Sequence, residues 1–353
     1  MEMLYRPDWP EVAARYEAWW AGESLGRPAM SIEMPRERVE RRPVPVPDTL
    51  YQRWTGPEYL VAMWEENFRT TTYLGEAYPC FVLNVGPCCA AGYIGCPVRV
   101  AETTVWFERI LDSLEGYHVE FDENDPWWQI TKAITQAAVD AGEGKWFVDI
   151  ADIGAACDVM PYLRGADGLC LDILDCPEQV VRVRDELTAL IFRLYDELYD
   201  IVNAKMTGSS SWLRVWGPGK VYTLQNDFSC VISKQTYDTI FLPELIEEIE
   251  FLDYNLYHLD GPNAIQHLDT LLELPQLGGI QWVPGAGWPN PADPCWRPML
   301  KRIQAAGKRL HVNGSPEEAL ALARDLSPEG LFIQTWASSE AEGRELLEAV
   351  SRG

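Results

Sequence analysis

The chain has 353 residues, 47% of them apolar and 24% charged, a globular composition that excludes a disordered or fibrous protein. Its 29 Lys and Arg stand against 54 Asp and Glu, a formal net charge of −25. Such a surface repels phosphate backbones and anionic lipid heads, so nucleic acid and membrane surfaces are poor partners.

Residues 1–28 read as an N-terminal helical extension. They lack the basic n-region and apolar core of a secretion signal, and no run of 18 apolar residues follows anywhere. A cytoplasmic protein is therefore expected. Eight β-rich runs come next, at 29–34, 81–85, 146–150, 221–225, 254–258, 280–283, 309–312 and 331–335. Helical patterns separate most of them. Residues 177–206 carry Val180, Val183, Leu187, Ile191, Leu194 and Leu198 at amphipathic spacing. Residues 242–252 and 298–306 are further helices, and Ser315-Pro-Glu-Glu opens another with Ser as its N-cap. Residues 212–216 lie too close to the next strand for a crossover helix and read as a hairpin on a loop. The alternation predicts an α/β fold, a (β/α)8 TIM barrel occupying residues 1–353 as a single domain.

The nine cysteines form no CxxC pair. An odd count without a secretion signal argues for reduced thiols. Cys88, Cys89 and Cys96 fall in a stretch of small residues, which favours packing over metal binding. No P-loop, HExxH, GxSxG or GxGxxG motif is present, so nucleotide cofactors have no support.

In such barrels the chemistry sits at the C-terminal ends of the strands. That rule selects Glu33, Arg36, Asn84, Asp149, Asp152, Asn226, Asp227, His258, Asp260, Trp282, Asn313, Gln334 and Trp336. His258-Leu-Asp260-Gly-Pro is the sharpest local feature. The intervening residue puts imidazole and carboxylate on one side of the strand, as an acid/base pair or as two metal ligands. The competing reading is a turn-capping Asp and a His packed in the barrel wall. Asp227, in Gln-Asn-Asp-Phe-Ser, supplies a second rim carboxylate, with an Asx turn as its plain alternative. Fifteen Trp are present. Most must pack, but Trp282 and Trp336 leave strands at the expected mouth, where flat rings stack on a ligand.

The order of segments resembles the uroporphyrinogen decarboxylase superfamily, which includes corrinoid–thiol methyltransferases. The resemblance rests on Gly26-Arg-Pro-Ala-Met-Ser-Ile-Glu-Met-Pro-Arg36, on Met160-Pro-Tyr-Leu-Arg-Gly165 with Asp175-Cys-Pro-Glu178, on Ile232-Ser-Lys with Leu242-Pro243, and on His-Leu-Asp-Gly-Pro. It implies the barrel fold and places Arg36 and Tyr162 at the site. The decarboxylase aspartate falls on Asn84, and the late histidine falls near residues 334–336. In the methyltransferases zinc is bound by His-x-Cys and a late Cys. Here His258 matches, Asp260 replaces the first Cys, and the late Cys falls near Thr335-Trp336.

Three readings follow. The first is a hydrolase-type enzyme acting on a glycoside or other small polyhydroxylated carbohydrate. In it Asp260 and Asp227 are acid and base, His258 tunes Asp260, and Arg36, Asn84, Tyr162, Asn226, Trp282, Asn313, Gln334 and Trp336 bind substrate. The second is a methyltransferase with an altered metal site. The third is a non-catalytic barrel that binds small molecules. No cofactor is expected and no metal is required. His258 and Asp260 leave room for a divalent metal, with Asp227 or Cys230 as a third ligand. A small molecule is the expected partner, and homo-oligomerisation stays open.

Overall fold

The computed structural model describes residues 3–351. Its strands are β1 (Ala29–Pro35), β2 (Thr71–Gly75), β3 (Cys80–Phe81), β4 (Val98–Val100), β5 (Val105–Phe107), β6 (Phe147–Val148), β7 (Val221–Gln225), β8 (Tyr254–Asp260), β9 (Gly279–Val283), β10 (Arg309–Asn313) and β11 (Leu331–Trp336). Each of the eight predicted runs overlaps one of them. The central sheet has the order β2-β1-β11-β10-β9-β8-β7. All its pairs are parallel except β1 with β2. The strand β3 pairs in parallel with β6, and β4 with β5 in a separate antiparallel hairpin.

This is a mixed α/β fold with a central parallel sheet. The closed eight-stranded ladder expected from the sequence is not continuous among the described residues, because β3 and β6 form their own two-stranded ladder. That ladder is short. The Asp149 carboxylate takes the Leu83 N–H at 2.6 Å, a side-chain bond that replaces a ladder bond and ends the pairing. Past that point the Ile150 N–H reaches the Ser210 carbonyl at 2.9 Å. Ser209 and Gly217 then exchange two backbone bonds across an antiparallel bridge, the hairpin expected around residues 212–216.

Helices cover the sheet as the periodicity requires. The helix Pro177–Asn203 buries all six residues that carried its pattern. Ser315 forms a full capping box with Glu318 at the start of helix Pro316–Asp325. The N-terminal helix Trp9–Ala21 buries Trp9, Val12, Tyr16, Trp19 and Trp20. Tyr16 and Trp19 pack on Phe332 near the start of β11, and Arg309 at the start of β10 bonds the Trp19 and Trp20 carbonyls. That helix therefore seals the N-terminal ends of the strands and leaves their C-terminal ends open. No described helix is long and apolar enough to cross a membrane.

Candidate functional site

Register decides which side chains meet. His258 stands opposite Gln225 on one side and Gln281 on the other, and Gln281 stands opposite His311. Directly opposed residues share a face, so a polar layer, Gln225-His258-Gln281-His311, crosses four strands. Two residues on, β8 ends at Asp260, where Gly261 takes φ +80° and turns the chain. Asp227 opens the 3-10 turn Asp227–Val231 after β7. One oxygen of the buried Asp158 accepts the N–H groups of Asp227 and Phe228 at 2.8 and 3.2 Å.

These constraints bring Asp227, His258 and Asp260 together, with one donor atom from each lying within 4.8 Å of the others. His258 Nε2 is 4.0 Å from Asp227 Oδ1. His258 Nδ1 is hydrogen-bonded to Gln281 Oε1. The amide oxygen can only accept, so Nδ1 is the donor and Nε2 is the ring nitrogen turned toward Asp227. Trp212 stands edge-on to the imidazole, 5.2 Å away.

Two cavities share this wall. The first, of about 480 Å³, is lined by Cys88, Asp152, Asp158, Tyr162, Gln225, Asp227 and Phe228 among others, and no Lys or Arg borders it. The second, of about 510 Å³, is lined by Ser31, Glu33, Arg214, Gln281, Asn313, Gln334, Thr335 and Trp336. Trp212 and His258 border both. In the first cavity burial raises the Asp152 carboxyl to about 7, with Asp227 pushing the same way. Burial and Asp227 raise Asp158 well above its usual range. Asp227 is also raised by burial and by Asp260, against a pull from His258. Its side chain is 56% exposed, so water tempers that push. Burial and the neighbouring acids keep the Cys88 thiol protonated. Carboxylates with no Lys or Arg on the cavity wall, beside the His258 imidazole, make up a donor set of the kind that holds a cation.

The predicted residues divide accordingly. Asp227, His258 and Tyr162 line the first cavity, Asn313, Gln334 and Trp336 the second, and Asp260 joins the cluster between them. Four lie elsewhere. Trp282 is fully buried, edge-on to Trp296, because on β9 it is Gln281 that faces the polar layer. Asn226 is buried with its side-chain oxygen unpartnered. Asn84 borders a separate aromatic cavity beside Trp54 and Trp64. Arg36 borders neither of the two cavities, and its backbone N–H bonds Thr70. The sequence reading missed Gln281, Trp212 and Arg214. A signal existed for the first: a glutamine inside an otherwise apolar strand, at the level of the histidine on its neighbour.

No family model matches the chain, and no curated protein does. Among solved structures, a methyltransferase from Methanosarcina mazei shares the fold with a TM-score of 0.57, over 97% of this chain and 98% of that one, at 11% identity. The expectation of a hydrolase-type, glycoside-acting enzyme is corrected by this full-length likeness, since the solved neighbour is a transferase.

Proposed function

We propose that the protein is a methyl-transferring enzyme related to the uroporphyrinogen decarboxylase and corrinoid methyltransferase group, with its strands arranged as that group's barrel and its metal site altered. The observation that carries this reading is the convergence of Asp227, His258 and Asp260 at the open strand ends of a fold shared along its length with a methyltransferase. The donor set holds one nitrogen and two carboxylates and no sulfur, which suits a divalent cation held less tightly than zinc between thiolates. A divalent ion bound there supplies Lewis acidity, lowering the pKa of a coordinated thiol or water.

The chain's own residues do the rest. Gln281 holds the His258 tautomer, Asp158 fixes the Asp227 loop, and the Gly261 turn aims Asp260. Transfer breaks the bond from methyl to donor, leaving that electron pair on the donor, and forms the bond from methyl to the nucleophile. The proton of the nucleophile passes to Asp152, which borders the cavity and accepts from Gln225 Nε2 at 3.3 Å.

The test is metal-dependent demethylation of methylcobalamin by small thiols, followed by its visible spectrum, with metal content measured alongside. The expected result is turnover that chelator abolishes and Mn²⁺, Co²⁺ or Zn²⁺ restores, with Asp260→Ala inactive but folded. Turnover unaffected by chelator, or none with any metal, would overturn the reading.

A further inference from the structure

The second cavity has a charge arrangement that the methyl-transfer reading does not use. Arg214 and Glu33 form an ion pair on its wall, Nη1 to Oε1 at 2.6 Å. Their side chains are 29% and 28% exposed. No described residue accepts from Nε or Nη2 of Arg214, and none donates to the second oxygen of Glu33. Each partner therefore keeps hydrogen-bonding capacity open to the cavity. Arg214 also sits at φ +55°, a conformation a long side chain adopts only when its surroundings impose it. Its N–H is tied back to the Ser211 carbonyl at 2.7 Å. The fold thus spends backbone strain to hold this guanidinium at the strand ends.

The surroundings are polar and under-bonded. The hydroxyl of Thr335 on the cavity wall is buried without a partner, as are both nitrogens of His311. Burial, with Arg214 and His258 nearby, lowers His311 to about 3, so it stays neutral. The carboxylate and guanidinium on the cavity wall are then Glu33 and Arg214, and His258 stands where the cavities meet.

We infer that this cavity binds a small zwitterion, its carboxylate on the free edge of Arg214 and its ammonium on the free oxygen of Glu33. A simple anion would compete with Glu33 for the guanidinium and leave one negative charge in excess, beside the three aspartates of the adjoining cavity. A simple cation would leave Arg214 half-satisfied. A molecule carrying both groups extends the pair into a neutral, fully bonded quartet. His258 is the shared wall, so a ligand held this way presents its remaining end to the Asp227–His258–Asp260 cluster. The inference rests on the methyl-transfer reading for the role of that ligand as methyl acceptor or methylated product, but its binding is measured without a methyl donor.

The experiment compares three ligands of one skeleton by calorimetry on the purified protein. They are S-methyl-L-cysteine, 3-(methylthio)propionate lacking the ammonium, and 2-(methylthio)ethylamine lacking the carboxylate. S-methyl-L-cysteine should bind at least about tenfold more tightly than either. Glu33→Gln should erase the preference over the propionate. Arg214→Asn, which tolerates the left-handed backbone, should erase the preference over the amine. Affinities within about threefold of one another in the wild-type protein, no binding of the zwitterion, or discrimination that survives both substitutions would each overturn the inference. If either variant fails to fold by circular dichroism, the wild-type comparison decides alone. A protein that transfers methyl groups but binds the three ligands alike would sink this inference and leave the proposed function standing.

Discussion

At the scale of single residues, the burial of a side chain separates its role in packing from its role at the site. Trp282 is fully buried against Trp296, whereas Trp336 is 57% exposed at the cavity mouth. Trp282→Ala should lower unfolding free energy by roughly 3–5 kcal/mol, and Trp336→Ala by less than about 0.5 kcal/mol, measured by urea denaturation. Equal losses would contradict these placements. Gln281 offers a sharper case. It reaches the proposed metal site only through His258 Nδ1. Gln281→Leu frees the imidazole to rotate or change tautomer, and partners of this kind typically contribute 10–100-fold to metal affinity. Titration with Co²⁺ should show a Kd weaker by roughly that range, with the fold unchanged by circular dichroism.

At the scale of elements, two buried acids tie one helix to the site and a third lies beside them. Glu244 caps the start of helix Ala156–Arg164 through the Ala156 and Cys157 N–H groups, the latter at 3.2 Å. Asp158, in the first turn of that helix, clamps the loop carrying Asp227. Glu248 lies one helical turn beyond Glu244 and is equally buried. Burial raises Glu244 to about 7 and Glu248 well above its usual range. An unfolded glutamate releases its proton near pH 4.3, while these native ones hold theirs to about 7 or beyond. Between those values the native state binds more protons than the unfolded state, so stability falls as pH rises. The melting temperature should be higher at pH 5 than at pH 8. Surface repulsion at net charge −25 acts in the same direction, so Glu248→Gln is needed to isolate the buried term. That variant should melt higher than wild type at pH 8 and close to it at pH 5. A variant less stable at pH 8 would show that Glu248 is ionised and partnered there.

At the scale of the whole molecule, the Asp227–His258–Asp260 cluster sits at the open strand ends, while the N-terminal helix and its aromatic residues seal the opposite ends. Folding should therefore not depend on a metal bound at the proposed site. Chelator should leave the circular dichroism spectrum intact. A divalent ion that binds only the folded chain should raise the melting temperature in a concentration-dependent way, by about 2.7 kcal/mol at a hundredfold excess over Kd. In Asp260→Ala that increment should largely vanish. Loss of folded structure on chelation would place a metal in the core instead.

The sequence by itself determined eight of the eleven strands and the long amphipathic helix, since the periods of 2 and 3.6 that place Gln225, His258 and the Val180–Leu198 face are local properties of the chain. It also singled out His258 and Asp260, which lie two residues apart on one strand, and Asp227 at the end of another. Tertiary structure alone decided the rest. Whether Trp282 or Gln281 faces the mouth depends on strand register, which is set by pairing with β8 and β10 and not by the β9 sequence. Arg214 meets Glu33 across 181 positions of chain, a pairing no local pattern encodes. The end of the β3–β6 ladder is marked by one carboxylate, Asp149, bonding a backbone N–H 66 residues away. Local spacing fixes the direction in which a side chain leaves its strand, but only the packed sheet fixes what it meets there.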